Sequence, residues 1–240
     1  DYNLSIVRST WDYTKHLNKF LSVISQIDNS RCQLFNSAQT IRWNSHKSYL
    51  KDLQAKGIAV IPLEFVSDHS LESLQDAVNL WNSEKIVLKP TVGANSNNIE
   101  VLDRSEAVEI VSPAASTNQW FVQPFLKEIF EGELSLHFFA DQFSHGVRKV
   151  PKRGDFRVQE EHGATILPYK PSDQEIKFAQ DILAKIDEDL LYARVDYVMY
   201  KDVPHLMELE LIEPSLYFRT DTESAHRLAH VFLERVDAFI

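Results

Sequence analysis

Three carboxylates carry the most chemistry in this sequence: Asp196 in Ala193-Arg194-Val195-Asp196, and Glu208 and Glu210 in Met207-Glu208-Leu209-Glu210. Residues two apart in a strand share a face. A hairpin centred on Asp202 sets Asp196 opposite Glu208 and Arg194 opposite Glu210, so the three acids crowd one patch. Like charges directly across a ladder are destabilising, and a cation can complete such a patch. Oxygen-only ligands suit Mg2+ or Mn2+. The competing reading is a solvated polar face on which Arg194 pairs with Glu210. Tyr192, Val195, Tyr197, Met207, Leu209, Leu211 and Ile212 flank the acids, and their bulk argues against a face open to water.

Two lysines come next. Lys47 lies near the start of a helix, and Lys89 closes the apolar run Ile86-Val87-Leu88, where Pro90 stops the strand. An ammonium there sits at a sheet edge, where α/β folds bind ligands. The loop Thr91 to Asn98 is small and polar, and its backbone donors and the Ser96 hydroxyl could cradle phosphate. Gly93 is its one glycine, and Asn97 and Asn98 can take left-handed positions instead. Taken singly, each lysine also reads as a surface charge and the loop as an ordinary turn.

The third set is Arg8-Ser9-Thr10-Trp11-Asp12-Tyr13, which follows the strand-like Leu4 to Val7. It projects from the strand's carboxyl end, where open α/β sheets place ligands. Arg8 can fork to a carboxylate, Asp12 can meet an ammonium, and Ser9, Trp11 and Tyr13 can shape the site. Against this, Asp12 can cap a helix, Trp11 can be core, and Arg8 can pair with a neighbouring acid.

The elements that must position these groups follow from periodicity. Leu17, Phe20, Leu21 and Ile24 share a helical face, and Tyr49, Leu50 and Leu53 mark a second helix ended by Gly57 in a left-handed C-cap. Ala59 to Val66 reads as a strand, Leu71, Leu74, Val78 and Trp81 as a helix, and Ile86 to Leu88 and Trp120 to Phe125 as strands. Glu133 to Val150 is a hairpin about Ala140-Asp141-Gln142. Pro171 and Ser172 open a helix carrying Ile176, Ala179, Leu183 and Ile186. Tyr192 to Met199 and His205 to Ile212 form a second hairpin, and Ala225, Leu228, Ala229, Phe232 and Val236 a closing helix. This order predicts two α+β lobes with a cleft, preceded by the remnant of a third unit.

Composition narrows the field. The 240 residues are 44% hydrophobic, enough for a sizeable core, and the net charge of −10 argues against a nucleic-acid partner. The single Cys32 permits no internal disulfide, which fits a reducing cytoplasm, and reads as core. No apolar run is long enough to span a bilayer, so no membrane partner is expected. His137, His145 and His162 raise a zinc hydrolase as a rival, but their spacing fits no common zinc motif.

The motifs in this order resemble the ATP-grasp superfamily, in its glutathione-synthetase and RimK-like branch, and more closely the bacterial group of the cycloserine-forming cyclo-ligase. The likeness rests on Arg8-Ser9-Thr10-Trp11-Asp12-Tyr13, Trp43-Asn44 with Lys47, Val87-Leu88-Lys89-Pro90 and Gln123-Pro124-Phe125. It continues through Gly132-Glu133, Ser144-His145 with Arg148-Lys149, and Phe156-Arg157 with Gly163. Arg194-Val195-Asp196 and Glu208-Leu209-Glu210 with Glu213-Pro214 complete it.

The resemblance implies two α+β ATP-grasp lobes, 41–125 and 126–240, enclosing a nucleotide cleft and preceded by a partial pre-ATP-grasp α/β unit, 1–40. It implies a ligase that uses Mg-ATP to make an acyl phosphate, which an amine or similar nucleophile attacks, in the same molecule or another, releasing ADP and phosphate. Lys47 and Lys89 would hold the ATP phosphates. Gln123, Pro124, Phe125 and Leu126 would meet adenine, and Glu133 the ribose. Asp196, Glu208 and Glu210 would bind metal, with Glu where the pattern has Asn, leaving room for two ions. Arg148 and Arg157 would face the γ-phosphate. The implied partner is a small carboxylate or amino-acid-like substrate, and a homodimer is left open. Two departures stand out: a glycine-poor phosphate loop, and an N-terminal unit without the strand and helix that open other members. The alternative is a catalytically degenerate ATP-binding sensor or scaffold, which the intact Lys47, Lys89, Asp196, Glu208 and Glu210 oppose.

Overall fold

The computed structural model describes residues 2–68, 71–81, 83–93, 98–105 and 120–237. In chain order the elements are β1 (Leu4–Ile6), α1 (Leu17–Asp28), β2 (Gln33–Phe35), α2 (Ala38–Asn44), α3 (Tyr49–Ala55), β3 (Glu64–Phe65), α4 (Leu71–Asn79), β4 (Lys85–Pro90) and β5 (Glu100–Asp103). They continue with β6 (Trp120–Pro124), β7 (Glu133–Phe139), β8 (Gln142–Val150), β9 (Thr165–Tyr169), α5 (Asp173–Leu183), β10 (Tyr192–Tyr200), β11 (Val203–Glu210) and α6 (Ser224–Asp237). The strands form a parallel pair β1-β2, a sheet β3-β6-β4-β5 and a larger sheet β11-β10-β7-β8-β9.

Alternation along the large sheet separates two environments. Leu134, Leu136 and Phe138 of β7 face Ala193, Val195 and Tyr197 of β10 in one core, which α3 covers with Tyr49, Leu50 and Leu53 and α5 with Ala179 and Ile182. The other face of β7 carries Glu133, Ser135 and His137, all buried despite their polarity. Helix α5 starts where a capping box closes: Ser172 Oγ accepts from Glu175 N, and the Glu175 carboxylate accepts from Ser172 N at 2.8 Å. The same carboxylate accepts the Tyr169 and Tyr197 hydroxyls, each at 2.7 Å, tying β9 and β10 to the helix.

The β10-β11 hairpin realises the expected register, Asp196 opposite Glu208 and Arg194 opposite Glu210, by an unexpected route. Its turn is the two-residue Lys201-Asp202, with φ of 53° and 63°, the left-handed pair that suits a tight hairpin. That turn alone would set Asp196 opposite Met207 and send the acids to the wrong face. A bulge between Asp196 and Tyr197 shifts the register by one and restores the pairing.

Several expectations are corrected. Only Glu64–Phe65 of the run Ala59 to Val66 is strand; Val60 makes a single parallel bridge to Leu206 of β11. Helix α2 went unseen because its seven residues are too few for a period, although Ser37 caps it by accepting from Thr40 N at 3.1 Å. Strands β5 and β9 also escaped periodicity. Helix α3, expected with the first lobe, packs in the core of the large sheet, whereas the small sheet has its own cluster of Val66, Leu74, Val78, Ile86, Leu88 and Val122. The N-terminal unit is a β1-α1-β2 crossover whose far side α6 covers, with Leu228, Val231 and Phe232 against Leu4, Ile6 and Phe35. Cys32 is partly exposed beside β2 and is not core. Among the described residues no helix is long and apolar enough to cross a membrane.

Buried Asn44, at the end of α2, donates to Leu209 O at 2.8 Å and accepts from Leu211 N at 3.0 Å. Asn44→Ala should therefore destabilise the fold by about 2–3 kcal/mol, the cost of stranding buried backbone groups. Urea unfolding monitored by circular dichroism checks this.

Candidate active site

A cleft opens between the small and large sheets, with Lys89, Phe121 and Gln123 on one wall and Glu133, Lys149, Arg194, Asp196 and Glu208 on the other. One end is apolar. Ile61, Ile129, Val158 and Val198 cluster there with Phe125, Leu126, Phe156 and Met207. Phe125 meets Phe156 edge to face at 6.1 Å, and its backbone N–H is fixed on Lys85 O at 2.9 Å. Gln123 lies at the base of this end, and its buried side-chain nitrogen has no hydrogen-bond partner among the described residues.

The other end is densely charged. Arg194 grips Asp196, with Nε and Nη2 each at 2.9 Å from its carboxylate, and reaches Glu210 as well. Asp196 also accepts from Ser135 Oγ at 2.6 Å and Lys149 Nζ at 3.3 Å. Burial alone would raise its pKa, but Arg194 and Lys149 hold it well below the usual carboxylate range. Lys149 is shared between Asp196 and Glu133. Lys47 pairs with Glu208, and its backbone N–H is anchored on Thr91 O at 2.7 Å.

Three groups remain out of balance. Lys89 has no ion pair among the described residues, and burial lowers its pKa although Glu208 and Glu133 oppose the shift. Glu210 is pushed up to about 7 by burial; Arg194 counters that, and Glu208 and Asp196 add to it. Glu213, 8% exposed, is pushed up to about 8 by burial and then by Glu210.

A cleft with an apolar end for a ring and a cationic end for phosphates narrows the family, and comparison decides it. Residues 50–215 match the family described as prokaryotic glutathione synthetase, ATP-grasp domain. The chain belongs to the ATP-grasp family. Residues 1–36 match the N-terminal domain of D-cycloserine synthetase DcsG. The cycloserine biosynthesis protein DcsG of Streptomyces lavendulae is 28% identical over 256 residues, covering 96% of this chain and 82% of its own. The crystal structure of D-cycloserine synthetase DcsG superposes with a TM-score of 0.83 at 25% identity, over 98% of this chain and 84% of that one. The ATP complex of D-alanine–D-alanine ligase from Bacillus anthracis shares the fold, with a TM-score of 0.66 at 14% identity over 89% and 73% of the two chains. This ATP-grasp chain is accordingly an ATP-dependent, ADP-forming ligase of a family that uses a divalent metal.

Within the ATP-grasp cleft, the structure gathers Lys47, Lys89, Gln123, Pro124, Phe125, Leu126, Glu133, Asp196, Glu208, Glu210, Trp11 and Tyr13. Ser96 lies outside the described residues. Arg148 is a correction: neighbours in a strand face opposite ways, so Lys149 enters the cleft and Arg148 lies behind the sheet, 5.0 Å over the Tyr169 ring. Arg157 is bound to Asp155 at 2.7 Å beside the cleft-lining Phe156 and does not itself line the cleft. Arg8 lies 5.0 Å over the Tyr192 ring and donates to Pro214 O at 3.1 Å, bracing the wall from outside. Ser9 and Asp12 are exposed, and Asp12 makes no side-chain cap on the single turn Tyr13–Lys15.

Asp196, Glu208 and Glu210 share the cleft, but each faces a protein cation, and among the described residues no three acids, histidines or cysteines converge as a metal cage. The zinc reading falls. His137 and His145 stack at 4.2 Å, with Nε2 atoms 3.3 Å from Ser215 O and 2.9 Å from Leu216 O, while His162 sits in a separate surface turn. Burial keeps both stacked rings below the ordinary histidine value, so they brace this segment as neutral imidazoles. Lys149, Arg194 and Glu213 were not assigned from sequence as groups acting in the cleft. Lys149 could have been found, because a hairpin centred on Asp141 pairs it with Glu133, as observed.

The folded chain keeps a proton on Glu213 at pH values where an ordinary carboxylate, near 4.5, has lost it, so this residue's contribution to stability falls as pH rises from about 4.5 to about 8. Glu210 acts likewise up to about 7, and the depressed histidines oppose the trend only below 6.5. The metal-free protein should therefore lose thermal stability between pH 7 and 8. Glu213→Gln should flatten that slope in melting curves recorded against pH.

Proposed function

We propose that this ligase activates a small, amino-acid-like carboxylate as its acyl phosphate, for attack by an amine or similar nucleophile on the same or a second molecule. A substrate carboxylate oxygen forms a bond to the γ-phosphorus of ATP as the bridging P–O bond breaks and ADP leaves. The nucleophile then bonds to the acyl carbon and loses a proton, and the C–O bond to phosphate breaks. The observation that carries this reading is Lys89, held in the cleft without an ion pair among the described residues, near Lys47 and across from Lys149 and Arg194. Such fixed charges favour the transition state because they need no reorganisation as charge shifts onto the transferring oxygens.

The roles divide along the cleft. Gln123 to Leu126 and the apolar cluster around Ile61 and Met207 suit the adenine ring, and Glu133 the ribose end. The acids are oxygen donors of the kind a divalent cation takes, and Glu208 and Asp196 add to the burial that raises Glu210, a shift that a cation would relieve. Asp196, Glu208 and Glu210 would hold it, which would free Arg194 and Lys47 to face phosphate oxygens. Bound Mg2+ would neutralise charge on the transferring phosphoryl group. A relative of the same fold is named for ligating D-alanine to D-alanine, which favours an amino-acid-like substrate here.

Lys89→Met should weaken ATP binding by about 1.5–3 kcal/mol, the scale of a charge-assisted hydrogen bond. Calorimetric titration reads this directly, and an unchanged affinity removes Lys89 from the phosphate site. In a screen of small carboxylates with hydroxylamine present, turnover should yield ADP and a hydroxamate. AMP and pyrophosphate would rule out the acyl-phosphate route.

A further inference from the structure

Glu213 is more than nine-tenths buried and lines the cleft with Trp11 and Tyr13. Among the described residues its carboxylate has neither a hydrogen-bond donor nor an ion-pair partner. The neighbouring cations are engaged elsewhere, Lys47 by Glu208 and Arg194 by Asp196 and Glu210. The backbone that carries the carboxylate is fixed on three sides. Tyr192 Oη donates to Ile212 O at 2.8 Å, Trp11 Nε1 to Glu213 O at 3.2 Å, and Arg8 Nη2 to Pro214 O at 3.1 Å. A carboxylate that no protein group matches is left to accept hydrogen bonds and positive charge from a ligand. Fixed on the wall of the reaction cleft, Glu213 offers that position to whatever occupies the cleft.

We propose that Glu213 binds a protonated amine of the substrate, in a subsite walled by Trp11 and Tyr13; this rests on the ligase reading above. An alkylammonium supplies that charge, donates up to three hydrogen bonds and is attracted to aromatic faces. Trp11 is 53% exposed, so a ligand can reach the subsite from outside. The reacting carboxylate belongs at the cationic end, beside Lys89 and Lys149, and one small molecule that satisfies both ends is an amino acid. Asp12, expected from sequence to meet the ammonium, is exposed and does not line the cleft. Glu213 takes that role instead.

The test uses the full chain saturated with Mg2+ and a non-hydrolysable ATP analogue. It is titrated by ligand-observed NMR with D- and L-alanine, D- and L-serine, propionate and 3-hydroxypropionate. At least one amino acid should bind tenfold or more tighter than its des-amino counterpart. Glu213→Gln should abolish that preference while melting at no lower temperature than the parent, and Glu213→Asp should retain part of it. Des-amino acids binding equally well, no amino acid binding, or a preference that survives Glu213→Gln would each overturn the proposal. So would a Glu213→Gln effect confined to Mg2+ affinity, which would make Glu213 a metal ligand. Nucleotide binding is read separately: its loss in the parent protein would overturn the ligase reading, whereas its presence without an amine preference defeats only this inference.

Discussion

The buried pair of Arg194 and Asp196 is the constraint around which the molecule is arranged. Two charges on one interior strand of a sheet, β10, are tolerable only when every lone pair and N–H is matched. Here the guanidinium forks onto Asp196 and extends to Glu210, and Ser135 and Lys149 complete the carboxylate's shell. Removing one member leaves the other charge stranded, which in buried pairs costs about 3–5 kcal/mol. The pair also dictates the polarity of its surroundings. The cleft face of β7 must be Glu133, Ser135 and His137, and the apolar residues must all turn to the opposite side, against α3 and α5.

A second constraint acts on the segment that leaves β11. Asn36 donates to Leu211 O at 2.7 Å, Asn44 accepts from Leu211 N, and the Tyr192 hydroxyl bridges Val7 O and Ile212 O. The stacked histidines hold Ser215 and Leu216. Each of these buried polar side chains satisfies backbone groups that a sheet would otherwise pair, so residues 211–216 stay fixed without being a strand. The N-terminal crossover is thereby locked to the cleft, and Trp11 and Tyr13 are delivered to its wall.

The parts of this arrangement visible in the sequence were those governed by a simple period or symmetry. Asp196, Glu208 and Glu210 could be placed on one face because hairpin pairing is arithmetic, and α5 because Pro171 and Ser172 open a run in which Ile176, Ala179, Leu183 and Ile186 keep a helical period. Lys89 could be placed because an apolar run ends on it. What stayed hidden depended on parity or on distant contacts. Arg148 and Lys149 are adjacent cations, and only the strand's phase decides which enters the cleft. The bulge after Asp196 has no local signature, and the expected register was reached through a turn one half-residue away. Glu213 looked like the tail of a motif; its isolation is a property of Trp11, Tyr13 and Tyr192, which reach it from more than 190, and in one case 21, positions away.

The cleft therefore combines two incomplete halves. Among the described residues Lys89 has no ion pair, while Glu210 and Glu213 are raised by burial first and by neighbouring acids next. Pairing Lys89 with Glu213 would match both, but strand β4 of the small sheet fixes one and the pinned segment after β11 fixes the other. A protein that keeps opposite charges apart at some cost to its own stability gains most from ligands that carry both signs, polyanionic phosphate with a metal at one end and an ammonium at the other. Ligand binding then adds to folding free energy by mass action. The electrostatic strain of the empty cleft and the affinity of the filled one are thus two measures of the same fixed geometry.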